Sequence, residues 1–335
     1  MIKNFLWLFF GCGLFIVLSP IVPEMINPYF FTILIYAGIN ITLAVSLNLI
    51  NGITGQFSMG HAGFMAVGGY VSAFLTTTYG GSLQLPFLSI EIQEFLFFSF
   101  SLFVGGLSSA FLGYLVGLPS LRLRGDYLAI VTLGFGEIIR VVILNIEAVG
   151  GARGLPGIPK WTNFGWVFTI AFVCILVFQR ILQSPHGRAL LAIREDEIAA
   201  EAMGVNTTRY KVTAFMLGAF FAGVAGGLFG HFLTYLNPQT FDFNRSFEII
   251  IMVVLGGMGS TTGAVVAALF LTGLRELLRP LQEITRLDFR MVIYSLMLIF
   301  IMLTKPNGFF GSKEITDFGP FRRFKKNPLN LAGEK

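Results

Sequence analysis

The chain has 335 residues, of which 55% are hydrophobic, 37 are Phe and only 12% are charged. This polar content is too small for the surface of a water-soluble globule, so the composition indicates an integral membrane protein and excludes a soluble domain. The net charge of +5 does not indicate a nucleic-acid partner. Residues 305–335 hold seven Lys or Arg against three Asp or Glu. An excess of positive charge in such a segment indicates how a membrane protein is oriented in the bilayer.

Apolar runs close to the roughly 20 residues of a membrane-spanning helix recur along the whole chain. The first follows Lys3 and has no small-residue cleavage site behind it, which favours a span over a signal peptide. The predicted spans are 5–22, 28–50, 57–78, 94–118, 126–146, 164–182, 211–235, 246–255, 261–278 and 288–304. They predict an all-α integral membrane protein of about ten transmembrane helices.

Two glycine-rich stretches, 51–63 and 256–263, interrupt these runs, one in each half of the chain. Open backbone is tolerated at membrane depth only where it is buried in protein or lines a cavity. Paired breaks are typical of an inverted-repeat transporter with a pathway at the midplane. The alternative is close helix packing, because pairs such as Gly223/Gly227 and Gly259/Gly263 have small-xxx-small spacing. The predicted pathway residues are Gly55, Gln56, Ser58, His61, Gly257, Gly259 and Ser260.

Polar residues within the spans are few. Glu137 and Arg140 lie three apart, so on a helix they share a face and neutralise each other, either as a functional pair or to fix packing. His61 and His231 are single histidines on apolar helices, and we expect them to be hydrogen-bonded interior residues rather than metal ligands. Cys12 is expected to be a packing residue, as is Cys174, and no metal site is predicted.

A charged stretch at 180–211 lies between two long apolar segments. Ser184 is suited to a helix N-cap, Pro185 to the first helical position and Gly204 to the stop, which predicts one helix over 185–203. Fifteen of the 23 Lys and Arg fall on the same side as this helix, among them Arg122, Arg124 and seven in the tail. By the positive-inside rule, the helix and both termini are expected in the cytoplasm. The predicted domains are 1–310, spanning the membrane, and 311–335, a basic cytoplasmic tail.

The motifs of common catalytic sites are missing from the sequence. It has no G-x-x-x-x-G-K-[ST], no G-x-G-x-x-G after a strand and no H-E-x-x-H. We therefore expect no enzyme activity and no cofactor in this chain.

Four segments carry a resemblance to a known family: SLNLINGITGQFSMGHAGFMAVGGY (46–70), TLGFGEIIR (132–140), GRALLAIREDEIAAEAMG (187–204) and VLGGMGS (254–260). In this order, over about 39–306, they resemble the LivM/LivH-type permeases of branched-chain amino acid ABC transporters. The chain departs from the family pattern at Met203, where the EAA coupling loop has Ala, and at His186, where an aromatic residue is expected. The resemblance implies an importer in the bacterial inner membrane for branched-chain or other hydrophobic amino acids.

It also implies the partners: a second similar permease, two cytoplasmic ATPases that bind ATP and Mg, and an extracytoplasmic binding protein. The apolar face of the helix, Leu190, Leu191, Ile193 and Ile198, is expected to face the ATPase. The coupling residues implied are Arg188, Arg194, Glu195, Asp196, Glu197, Ala200, Glu201 and Gly204.

Other functions remain open at this point. The 185–203 helix is either a coupling helix or an amphipathic helix on the inner leaflet. Similar permeases carry urea, short amides or sugars, and a stand-alone secondary carrier or a passive channel are the alternatives from other classes. A carrier would need an intramembrane relay of ionisable groups, which this sequence provides only at the 137/140 pair and the single histidines.

Overall fold

The computed structural model of the protein describes residues 2–80, 89–120, 126–279, 290–305 and 308–311. These ranges are mostly helical, with short 3-10 turns and one antiparallel pair of two-residue strands that joins the loop before the sixth helix to the end of the ninth. The helices are α1 (Ile2–Met25), α2 (Pro28–Asn48), α3 (His61–Tyr79), α4 (Ile90–Ser120), α5 (Asp126–Asn145), α6 (Phe164–Gln183), α7 (Pro185–Glu195), α8 (Glu197–Ala202), α9 (Thr207–Leu233), α10 (Phe243–Gly256), α11 (Thr261–Leu277) and α12 (Arg290–Thr304), and the strands are β1 (Leu155–Pro156) and β2 (Tyr235–Leu236).

Five helices in the described ranges are long and apolar enough to cross a membrane, which confirms the all-α membrane class. The total of ten spans and the inverted repeat remain predictions. The predicted tail beyond residue 311 lies outside the described residues, as do Arg122 and Arg124. The five long helices are Pro28–Ile53, Ile90–Pro119, Tyr127–Asn145, Phe164–Gln183 and Thr207–Leu233.

The centre of the bundle is α9, which packs against α3 and α4. Small residues allow this close approach, because a Cβ added to Gly226 would overlap the carbonyl of Met65, and one added to Gly223 would lie 2.9 Å from the carbonyl oxygen of Gly105. Close contact through small residues is the usual way in which helices associate in a lipid environment. The packing interpretation therefore holds for Gly223 and Gly226.

Both predicted interruptions of the helices are present. A π-helical turn, Leu49–Ile53, ends α2, and residues 54–60 form no helix, so α3 begins at His61 rather than at the predicted Phe57. The Asn51 side chain satisfies this open backbone by accepting from the N–H of Ser58 and donating to its carbonyl. The second break separates α10 from α11 at 257–260, as predicted.

The prediction of one continuous helix over 185–203 is wrong. Asp196 has extended backbone (φ −156°, ψ 109°) and divides the segment into α7 and α8, because its carboxylate accepts from the N–H groups of Ile198 and Ala199 and so caps a new helix. The predicted ends are confirmed. The Ser184 hydroxyl caps α7 at the N–H of Gly187, and Gly204 has the positive φ of 84° typical of a helix stop.

Candidate functional site

The two glycine breaks are far apart in sequence but meet in the structure. The side-chain oxygen of Asn48, at the end of α2, accepts from the N–H of Gly259 at 2.9 Å. A Cβ on Gly52 would overlap this same N–H, so only glycine allows the two backbones to come so close. Gly257 and Gly259 also have positive φ angles of 111° and 96°, which L side chains rarely adopt. The breaks therefore form one structural unit.

Arg194, at the end of α7, connects the charged segment to both breaks. Its Nη1 donates to the carbonyl of Gly52 at 3.0 Å. A Cβ on Gly55 would lie 2.8 Å from the Arg194 Cγ, and one on Gly259 would lie 2.8 Å from its Nη1. The Arg194 side chain thus contacts its own chain, whereas from the sequence it was expected to face the ATPase. A carbonyl left without a helical partner by the π-turn supplies the acceptor.

The remaining charged residues of α7 and α8 divide into two groups. Glu197 pairs with Lys211 at 2.6 Å and Glu201 accepts from the Thr207 hydroxyl at 2.6 Å, so both fasten α8 to the start of α9. Arg188 is exposed, and the Glu195 side chain, which pairs with Arg194 at 2.9 Å, is 74% exposed. Ala200 is buried, whereas Gly204 lies on the surface.

The expected apolar face of this helix is only partly available to a partner. Leu190 and Ile193 are 4% exposed and pack inside this chain, so the prediction that they face an ATPase is wrong. The break at Asp196 separates α8 from α7, and the large apolar side chains that are exposed on this segment are Ile198 at 66% and Met203 at 84%.

Three of the predicted pathway residues have buried polar atoms without a partner among the described residues. They are both amide atoms of Gln56, the hydroxyl of Ser58 and Nδ1 of His61. All three lie in or next to the open segment 54–60, and none is more than 4% exposed. Buried polar groups are nearly always paired, so such a cluster requires an explanation such as water or a passing solute.

Hydrogen bonds also hold both histidines and Ser260 in place. His61 Nε2 lies 2.8 Å from the Ser46 hydroxyl and His231 Nε2 lies 2.9 Å from the Thr76 hydroxyl, so both are hydrogen-bonded interior residues as expected. Ser260 caps α11 by accepting from the N–H of Gly263. Among the described residues no group of His, Cys, Asp or Glu has the geometry of a metal site.

Glu137 and Arg140 form the expected ion pair at 2.7 Å. Their side chains are 34% and 25% exposed, so the pair lies near the surface of α5 rather than in the core. Glu137 also borders a small cavity beside Met59 and Ser246, at the start of α10.

A buried polar cluster beside a cavity was missed by the sequence reasoning. The cavity, of about 690 Å³, lies between α2, α9, α10 and α11. At its floor Arg245 donates to Glu248 at 2.9 Å and to Asn40 at 2.8 Å, and Asn40 donates to Thr272 at 2.9 Å. The sequence placed Arg245 in a loop outside the span, but α10 begins two residues earlier. Its i, i+3 spacing from Glu248 was the available signal.

A family model described as "Branched-chain amino acid transport system / permease component" matches residues 29–302. No solved structure matches significantly.

Three curated relatives illustrate the similarity. The high-affinity branched-chain amino acid transport system permease protein LivM of Salmonella typhimurium is 37% identical over 305 residues, covering 81% of this chain and 67% of the relative. LivM of Escherichia coli K12 is 35% identical over 328 residues, covering 88% and 72%. The permease protein LivH of the same organism is 34% identical over 151 residues, covering 45% and 47%.

Proposed function

Since this chain belongs to the family of branched-chain amino acid transport system permease components, we propose that it is a membrane permease subunit of an ABC importer. Its cargo is a branched-chain or other hydrophobic amino acid, delivered by an extracytoplasmic binding protein at a bacterial inner membrane. Two cytoplasmic ATPases bind the ATP and Mg. Similarity to proteins named LivM and to one named LivH supports pairing with a second, homologous permease.

The observation that carries this proposal is the position of Arg194. It lies in the last turn of the charged helix α7, donates to the carbonyl of Gly52 and lies close to Gly259, so it is beside both glycine breaks. A movement of α7 therefore displaces the residues that link α2 to α11. Packed elements with two discrete arrangements transmit such displacements over long distances, which is what coupling to a distant ATPase requires.

The surface offered to an ATPase is the outer side of α7 and α8. It combines the exposed charges of Arg188 and Glu195 with the exposed apolar side chains of Ile198 and Met203. Apolar residues surrounded by charged ones are typical of specific protein interfaces. The bonds from Glu197 and Glu201 to α9 make the surface a firm part of the bundle, so force applied there is transmitted.

The pathway in this proposal follows the open segment 54–60. The unpartnered groups of Gln56, Ser58 and His61 supply neutral donors and acceptors for the polar ends of a passing amino acid. Neutral groups bind weakly, which suits a passage from which the solute must also leave. The domain division into residues 1–310 and a tail at 311–335, with both termini cytoplasmic, belongs to the same proposal.

The test is the double variant I198D/M203D in the full complex. It replaces the two exposed apolar side chains by carboxylates while Leu190 and Ile193 keep the helix docked. We expect loss of ATPase copurification and of substrate-stimulated ATP hydrolysis in proteoliposomes. The control is T208D, at an exposed position in the first turn of α9, which should leave both unchanged. Native copurification and stimulation in the double variant would contradict the proposal.

A further inference from the structure

The cavity above Arg245, here the Arg245 cavity, lies at the other end of the bundle from the charged helices. Tyr29, near the start of α2, and Leu233, at the end of α9, line it, whereas Asn48 and Thr207, at the opposite ends of the same helices, lie beside the breaks and α8. With α7 and α8 at the cytoplasmic face, this cavity faces the side from which a binding protein delivers solute.

The charges that line the cavity are balanced in sign. A cavity lined by equal numbers of opposite charges suits a ligand that carries both signs and disfavours a net anion or cation, which would meet like charges. The cations are Arg245, Arg275 and Arg279, and the anions are Asp242, Glu248 and Glu276.

Arg245 is the deepest of these groups, since it is 8% exposed. Its guanidinium has five N–H donors, of which Glu248 and Asn40 take two, and Nε has no partner among the described residues. Nη1 and Nη2 each donate one N–H to these partners and keep a second, so the guanidinium can accept a further anionic group.

The walls of the cavity suit an aliphatic side chain. Ile33, Tyr36, Phe229 and Leu233 lie beside the polar floor. A volume of about 690 Å³ is within the range of small-ligand sites, roughly 300–1,000 Å³.

The helix that carries Arg245 also contacts the end of the open segment. The residue after Arg245, Ser246, accepts through its hydroxyl from the N–H of Ala62 at 3.2 Å, next to His61, whose Nδ1 has no partner among the described residues. Arg245 is therefore one residue away from a contact with the start of α3, where the open segment ends.

We propose that the Arg245 cavity binds a zwitterionic aliphatic α-amino acid, with Arg245 holding the α-carboxylate and Glu248 the α-ammonium. This inference rests on the proposed importer function and names the site where solute is received before it enters the open segment. The carboxylate takes the free N–H groups of Arg245, and the side chain lies against Tyr36 and Phe229.

The experiment measures ligand protection of a cysteine in the cavity of the full complex, without ATP. Cys12 and Cys174 are first changed to Ala. Thr240 is then replaced by Cys, because it is exposed and lines the cavity. The rate at which a charged methanethiosulfonate labels this cysteine is measured. We expect L-leucine to slow labelling at least about threefold. Isoamylamine lacks the carboxylate and 4-methylvalerate lacks the ammonium, so neither should protect at the same concentration. This ligand series leaves Arg245 unaltered, so its outcome does not depend on the folding of a variant.

A second arm tests the named residue. Arg245→Gln should raise the L-leucine concentration for half-protection on the order of 10- to 100-fold. The control R153Q replaces an exposed arginine outside the cavity and should leave the half-protection concentration unchanged. Equal protection by all three compounds, or none by L-leucine in a complex that still hydrolyses ATP on stimulation, would overturn the inference. The latter result would leave the importer proposal intact, whereas native ATPase copurification and stimulation in I198D/M203D would contradict the importer proposal itself.

Discussion

Replacing Arg194 by Ala should uncouple the ATPase from transport. The substitution removes the bond from Nη1 to the carbonyl of Gly52 at 3.0 Å and the contacts of the side chain with Gly55 and Gly259. A hydrogen bond from a charged group contributes about 1.5–3 kcal/mol when buried. Because the Arg194 side chain is 28% exposed, a value of about 1–2 kcal/mol is appropriate here.

This energy sets the size of the effect. If the bond is made in one of two conformations of the bundle, its loss shifts their equilibrium by a factor of roughly 5–30. We expect substrate uptake per ATP hydrolysed to fall by that order in proteoliposomes that contain the whole complex. Basal ATP hydrolysis should persist, because the proposal places the ATP sites on the partner subunits.

The control for this variant is Arg209→Ala, near the start of α9, where the side chain is exposed. It removes one positive charge from the same charged stretch without touching the breaks or the surface offered to the ATPase, so its coupling ratio should remain within about twofold of native. Arg194→Lys keeps the charge but loses the planar fork and should have an intermediate effect. Native uptake per ATP in R194A would refute the reasoning that Arg194 links α7 to the glycine breaks.

Three further variants test the structure beneath this mechanism. G226A places a Cβ against the Met65 carbonyl and should lower the free energy of unfolding in detergent by about 1–3 kcal/mol. The control G134A adds a Cβ that meets nothing within 4 Å and should not lower it. Equal melting temperatures for the two variants would contradict the α3–α9 packing. N48A leaves the Gly259 N–H without its acceptor and should lower the free energy of unfolding by about 1–3 kcal/mol in the same assay. N145A removes an exposed bond to a nearby carbonyl on the same helix and should lower it little. The reverse order would count against the contact between the breaks. D196A removes the N-cap of α8 and should weaken ATPase binding in pull-downs. D196N keeps a side-chain oxygen that can cap the helix and should retain this binding. Similar losses in both variants would assign the effect to the charge of Asp196 instead of to its cap.

Much of the fold follows from local signals in the sequence. Ser184 and Gly204 mark the ends of the charged segment by residue type alone, and the structure has a cap and a positive φ at these positions. The glycines at 256–259 predicted the separation of α10 from α11 because neighbouring glycines favour non-helical backbone. Signals of this kind act within a few residues, so they are visible in one sequence.

The features that were missed depend on competition between neighbours or on distant contacts. Asp196 lies among good helix formers, and only its bonds to Ile198 and Ala199 show that it caps a new helix. The inward turn of Arg194 depends on a carbonyl 142 residues away. Nothing in the periodicity of one segment indicates such a partner.

Arg245 shows the same limit for the candidate site. The predicted span begins at Ser246, one residue after it, whereas α10 begins at Phe243. Its neighbours Asn40 and Thr272 come from two other helices, 205 and 27 residues away, and only the folded bundle places them around its guanidinium. The chemistry of the site was therefore present in the sequence as residue types but not as an arrangement.

The central claim is that ATPase movement reaches the open segment through α7 and Arg194. Its most direct test is the labelling rate of Ser58→Cys in the full complex, with Cys12 and Cys174 changed to Ala, in nucleotide-free and ATP-trapped states. Ser58 is fully buried and its hydroxyl is unpartnered among the described residues. We expect a clear difference in labelling rate between the two states, and a much smaller difference when R194A is added. The same rate in every nucleotide state, or an undiminished difference in the R194A background, would contradict it.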